Sequence, residues 1–211
     1  PGGNSLIYPG SYTTRKENWV KLANTLKLRL LLHYSEVDPT FMVNEITTLV
    51  NSNATFFASN ADNFQMMFND AANQRNPIAQ FEVSRIDYLF ANNAMVTLMN
   101  GKNDPRRSAY FTPFPWGSTT YKGVTPGDAT SINFSRVHTF LRGAATGTPV
   151  PNAQGGITSS SLVYSGIAPI RMLTFAEYNF IRAEAALRGA PGDAQAFFTA
   201  GITASMQEAG V

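Results

Sequence analysis

Glu177 and Glu184 are the residues of this chain whose type and spacing come nearest to acid–base chemistry. They stand in the otherwise apolar stretch FAEYNFIRAEAALRG, Phe175 to Gly189. Paired carboxylates are the equipment of a glycosidase. On a helix, however, seven residues make two turns, so both groups share one face, about 10.5 Å apart along the axis. Glycosidase carboxylates flank a bound sugar from opposite sides, at about 5–5.5 Å or 6.5–9.5 Å. The spacing therefore predicts structural ion pairing rather than catalysis. Glu184 has Arg188 four residues on, in the favourable order, and Arg29 of an earlier helix is a candidate partner from across the core.

Little else in the sequence suggests a reaction. There is no cysteine, which excludes disulfides, thiolate metal sites and thiol catalysis. The two histidines, His33 and His138, are too far apart in sequence to show metal-ligand spacing. His33 continues an apolar helical stripe and reads as a hydrogen-bonded core histidine. No nucleophile elbow, P-loop or dinucleotide fingerprint occurs. The expectation from these residues is a protein that uses no cofactor and no metal.

Binding chemistry is better represented. The segment YFTPFPWGSTTYKG sets Tyr110, Phe111, Phe114, Trp116 and Tyr121 among prolines and glycines. Exposed rings on such a loop stack on sugars at little entropic cost. The same rings would equally serve to fasten the loop to the body, and both readings stand. Trp116, between Pro115 and Gly117, is the strongest candidate for exposure. Arg106 and Arg107 offer donors to a polar ligand, or else cap a turn in DPRR. The expected ligand-binding set is Trp116, Tyr121, Phe114, Tyr110, Arg106 and Arg107.

These residues need a scaffold, and the chain reads as mainly helical. Asn18 to Glu36 forms the first strong helix, with Asn18 as N-cap and an inner stripe of Trp19, Leu22, Ala23, Leu26, Leu30 and His33. Lys21, Asn24 and Thr25 form its polar face. Its second half is apolar nearly all round and is expected to be buried among several neighbours. Asp38 and Pro39 start a second helix with Met42, Val43, Ile46, Leu49 and Val50 inward, which makes a helical hairpin. A short helix is predicted over Asn92–Asn100, stopped by Gly101, and NDPRRSAYF is a turn leading to a strand.

Near the C-terminal end, Thr174 with Glu177 reads as a capping box. Leu173, Ala176, Phe180, Ala183 and Leu187 form the stripe, and Gly189 is the stop. Asp193 caps a further helix that presents Phe197, Ala200, Gly201 and Ala204. The unit Thr174–Gln207 has the length of a tetratricopeptide repeat, and one such unit needs neighbours to bury its face.

Residues 113–170 are different. They hold 14 of the chain's 28 glycines and prolines and only four charged residues, so they form an irregular loop excursion rather than a connector. The chain thus divides into helical parts at 18–53 and 171–209, a mixed part at 54–112 and the loop region at 113–170. The fold class is tetratricopeptide-like helix pairs with few short strands.

Composition excludes other classes. The chain has 211 residues, 14% of them charged, against about 25% in ordinary domains. A net charge of +2 carries no nucleic-acid footprint, and no apolar run approaches the roughly 18 residues of a membrane span.

Three stretches resemble one family. NWVKLANTLKLRLLLHYS is similar to the Trp-x-x-Lys-x-Ala-Asn-x-Leu-Lys-Leu-Arg helix of SusD/RagB proteins. APIRMLTFAEYNFIRAEAALRGAPGDAQAFFTAGITASM resembles that family's AEA-lrG segment, and NDPRRSAYF fits its Asp-Pro-Arg turn. The resemblance implies a single SusD-like domain fragment over 1–211, internal to a longer chain that carries the lipidated cysteine anchoring it to the membrane. It also implies a non-catalytic protein at the cell surface of an outer membrane. Such a protein captures glycans or other nutrients and hands them to a TonB-dependent, SusC-like transporter. The rival expectation is a tetratricopeptide-like scaffold that binds only protein partners.

Overall fold

A computed structural model describes residues 7–85, 87–128, 132–158 and 161–211. Its contacts divide into two units. The first comprises residues up to Met66 together with Arg171–Glu208; the second comprises Met67–Ile170 with Ala209–Val211.

The first unit is helical. Helix α1 (Tyr12–Leu32) starts where Ser11 Oγ accepts the Thr14 N–H at 3.2 Å. Asn18, the expected N-cap, therefore lies inside the helix. The added first turns are polar and exposed, so hydrophobic spacing carried no trace of them. The buried face also differs from the expected stripe: it is Leu22, Thr25, Leu28 and Leu31, while Leu30 is 56% exposed. Thr25 is drawn inward because its hydroxyl accepts the Phe57 N–H at 3.3 Å. The second half of α1 is thus buried on one side only. His33, expected in the core, is the exposed C-cap of α1.

Asp38 caps α2 (Pro39–Asn51) through the Phe41 N–H, and Met42, Ile46 and Leu49 are buried, as the sequence predicts. α1 packs against both α2 and α7 (Phe175–Leu187). Between them a single 3₁₀ turn (Asn60–Asp62) leads to β1 (Phe64–Met66), which pairs with β4 (Ile170–Leu173). Asp62 holds this junction by pairing with Lys21 at 2.7 Å and accepting the Ala58 N–H. Asn63 accepts the Phe175 N–H at 2.6 Å, adding to the start of α7.

Thr174 caps α7 and Gly189, at φ +102°, ends it, in the left-handed conformation that suits glycine. Leu173, Ala176 and Ala183 of the expected stripe are buried, but Leu187 is 80% exposed, and Tyr178, Ile181, Arg182 and Ala185 also point inward. Tyr178 stacks between Phe56 and Phe175, with ring centroids at 5.8 and 6.0 Å. Arg182 is buried because it donates to the Pro191 carbonyl at 2.9 Å and lies 4.5 Å over the Phe197 ring. Asp193 caps α8 (Ala194–Ala209), and Gly201 faces Phe180 so closely that a Cβ would come within 2.9 Å of the ring.

The pairing expectation for the two glutamates holds. Glu177 meets Arg29 at 3.4 Å and Glu184 meets Arg188 at 3.1 Å, all partly exposed.

The second unit carries short elements joined by long loops. These are α3 (Pro77–Ser84), α4 (Asn93–Gly101), α5 (Arg107–Tyr110), α6 (Thr139–Arg142), and the two-residue strands β2 (Ala145–Thr146) and β3 (Val163–Tyr164), which pair antiparallel. Gly101 is the last residue of α4 rather than its left-handed stop; Asn103, at φ +47°, takes that part. NDPRRSAYF forms the helical turn α5, after which Phe111 makes one antiparallel bridge with Val137.

Candidate functional site

The expected binding residues distribute over two places in the second unit. The first is built on α4. Asn92 caps it by accepting the Ala94 N–H at 2.9 Å; Val96 and Met99 turn inward, and Met95 and Leu98 stay exposed, Leu98 at 61%. The turn at Asn103 then brings Asp104 under the helix end, its N–H bonded to the Met99 carbonyl at 2.9 Å.

Asp104 organises the turn. Its Oδ1 accepts from Arg106 N and Nε, both at 3.0 Å, and its Oδ2 pairs with the Arg106 guanidinium at 2.5 Å. The Arg106 bonds hold the Asp104 carboxyl below the usual carboxylate range, and the same partnership raises Arg106. Arg107 turns the other way: it donates to the Asp104 carbonyl and to Asn100 Oδ1 at 3.0 Å, and lies 5.4 Å over the Tyr121 ring. Tyr110 packs 4.5 Å from Phe140, with Arg106 at 5.9 Å from its ring. Met95, Leu98, Lys102, Asp104, Arg106 and Tyr110 border a cleft of about 440 Å³.

Tyr110 and Arg106 thus line open space. Tyr121 and Arg107 brace the wall behind it, Tyr121 packing on the cluster of Ala91, Val96, Met99 and Phe111.

Phe114 and Trp116 stand apart from that cluster. Trp116 is half-buried against Ile157, Leu162 and Tyr164, and its backbone N–H donates to the Gly155 carbonyl at 2.9 Å. Its exposure is therefore partial. Phe114 carries the Lys122 ammonium 5.3 Å over its ring. Met95, Leu98 and Lys102 were missed in the sequence reading. The available signal was that the outward face of α4 carries two large apolar residues.

The loops are held by a buried charge cluster that hydrophobic patterning does not show. Glu82, fully buried, pairs with Arg136 and, at 2.8 Å, with Arg142; Arg136 also reaches Asp87 at 2.6 Å. Two of the four charged residues of the loop region are thus internal. Arg142 lies 3.8 Å over the Tyr164 ring, and the Tyr164 hydroxyl is 2.7 Å from His138 Nδ1. Burial first, and the Arg142 charge second, push His138 down to about 4. Burial pushes the Tyr164 hydroxyl up. Among the described residues no group of three or more His, Asp and Glu gathers as metal ligands would, and no helix is long and apolar enough to cross a membrane.

Residues 3–209 match the SusD-like family described as starch-binding and associating with the outer membrane. The chain belongs to the SusD-like family. Solved structures agree. A chitin-binding SusD homologue from Flavobacterium johnsoniae is 29% identical, with a TM-score of 0.70 over 95% of this chain and 37% of its own. A SusD homologue from Bacteroides uniformis is 28% identical, with a TM-score of 0.71 over 98% of this chain and 39% of its own. A third, from Bacteroides vulgatus, is 26% identical at a TM-score of 0.66, covering 92% of this chain and 36% of its own. This SusD-like chain therefore spans well under half the length of the structures it matches. No curated protein matches it.

Proposed function

We propose that this chain is part of one SusD-like domain that binds glycans or other nutrients at the cell surface without catalysis. In this reading it hands them to a TonB-dependent, SusC-like transporter of the outer membrane. Family membership and the chitin-binding relative at 29% identity support it. The observation that carries it is the α4 cleft. Its rim joins a tyrosine edge and a fixed guanidinium–carboxylate fork to an apolar floor, which suits a sugar's mixed surface.

The same cleft argues against hydrolysis. Among the described residues Asp104 is the one carboxylate on its border, and its bonds to Arg106 lower its pKa, the opposite of what a general acid needs. Tyr110 and Arg106 are the assigned contacts. Tyr121 and Arg107 position them, while Trp116 and Phe114 offer a further stacking surface on the loop.

Affinity electrophoresis through gels containing chitin derivatives, starch or other polysaccharides tests this. Retardation by at least one glycan, reduced in Tyr110→Ala, is expected, with no new reducing ends released. Retardation by none, with capture of the transporter alone, favours the protein-only scaffold. Release of reducing ends overturns the non-catalytic reading.

A further inference from the structure

We infer that the second unit carries another ligand site, on α3, suited to an acidic sugar: Phe81 and Tyr88 supply the rings and Arg85 the positive charge. This rests on the glycan-binding reading above. α3 turns Ala79 and Glu82 inward and leaves Phe81, Val83 and Arg85 outside. Phe81 is 39% and Tyr88 66% exposed, and neither joins a described core cluster. Their rings meet edge-to-face at 6.2 Å, forming an exposed aromatic corner of the kind that packs on a pyranose.

The charges around this corner are unbalanced. Its two carboxylates, Glu82 and Asp87, are both engaged by Arg136. Arg85 lies 5.7 Å from the Phe81 ring centroid and makes no ion pair among the described residues. Two aromatic rings and one cation fit a ring-shaped polar ligand bearing a carboxylate or sulfate. A neutral sugar would leave the cation unused.

Calorimetry with tetragalacturonate and chitotetraose, on the wild-type chain and on Arg85→Gln, Tyr88→Ala and Tyr110→Ala, tests the assignment. Tetragalacturonate is expected to bind, to weaken about tenfold in Arg85→Gln and in Tyr88→Ala, and to weaken further with added salt. Chitotetraose binding should be untouched by those two variants and reduced by Tyr110→Ala. If chitotetraose binds while tetragalacturonate does not, or binds equally to both α3 variants, this site is refuted and the general reading stands. If neither ligand nor any other glycan binds, both fall.

Discussion

His138 makes the stability of this protein depend on pH in a calculable way. Its Nδ1 faces the Tyr164 hydroxyl at 2.7 Å, and burial with the nearby Arg142 charge lowers its pKa from 6.5 to about 4. A group depressed on folding keeps its full contribution above the unfolded pKa. Between about pH 6.5 and 4 the unfolded chain takes up a proton that the native chain refuses, so stability falls as pH falls. For these two values the loss is close to zero at about pH 7.5 and about 2 kcal/mol at about pH 5. His138→Asn keeps an amide near the Nδ1 position and removes the titration. Urea unfolding of both chains, followed by tryptophan fluorescence at the two pH values, isolates the effect, because other acid-sensitive groups cancel in the difference. The wild type should lose about 2 kcal/mol more than the variant. Equal losses would refute the reasoning that the ring is buried and neutral.

Glu82→Ala strips two buried arginines of their shared carboxylate and should cost about 3–5 kcal/mol in the same unfolding assay; a loss below about 1 kcal/mol would show the cluster to be solvated. Thr25→Val leaves the Phe57 N–H without its acceptor and should cost about 1–3 kcal/mol, read by chemical denaturation. Arg29→Gln breaks a half-exposed pair with Glu177 and should change stability by less than about 1 kcal/mol, with the difference vanishing in high salt.

The parts of the fold legible in the sequence were those with local signals. Asp38, Thr174 and Asp193 cap their helices, and Gly189 ends one, because side-chain oxygens and a left-handed glycine act within one turn. Facing was less legible. Thr25 and Arg182 are polar by type yet buried, because each finds a backbone partner outside its own helix, Phe57 N–H and the Pro191 carbonyl. Leu30 and Leu187 are apolar yet exposed. Of the residues singled out by composition, Tyr110 and Arg106 border the α4 cleft. Composition could not foresee that Arg107 would turn to Asn100, or that Trp116 would pack against Ile157 and Tyr164. Those outcomes depend on contacts made across the loops, which no local spacing records.

The central claim is that the α4 cleft binds a glycan and does not cleave it. Titration of the chain with chitotetraose and with malto-oligosaccharides in a calorimeter, repeated with Tyr110→Ala, tests this most directly. Saturable binding by at least one sugar is expected, weakening about fivefold or more in the variant, as a stacked ring worth about 1–3 kcal/mol requires, with the ligand recovered intact. Unchanged affinity in Tyr110→Ala, or recovery of shortened sugars, would contradict it.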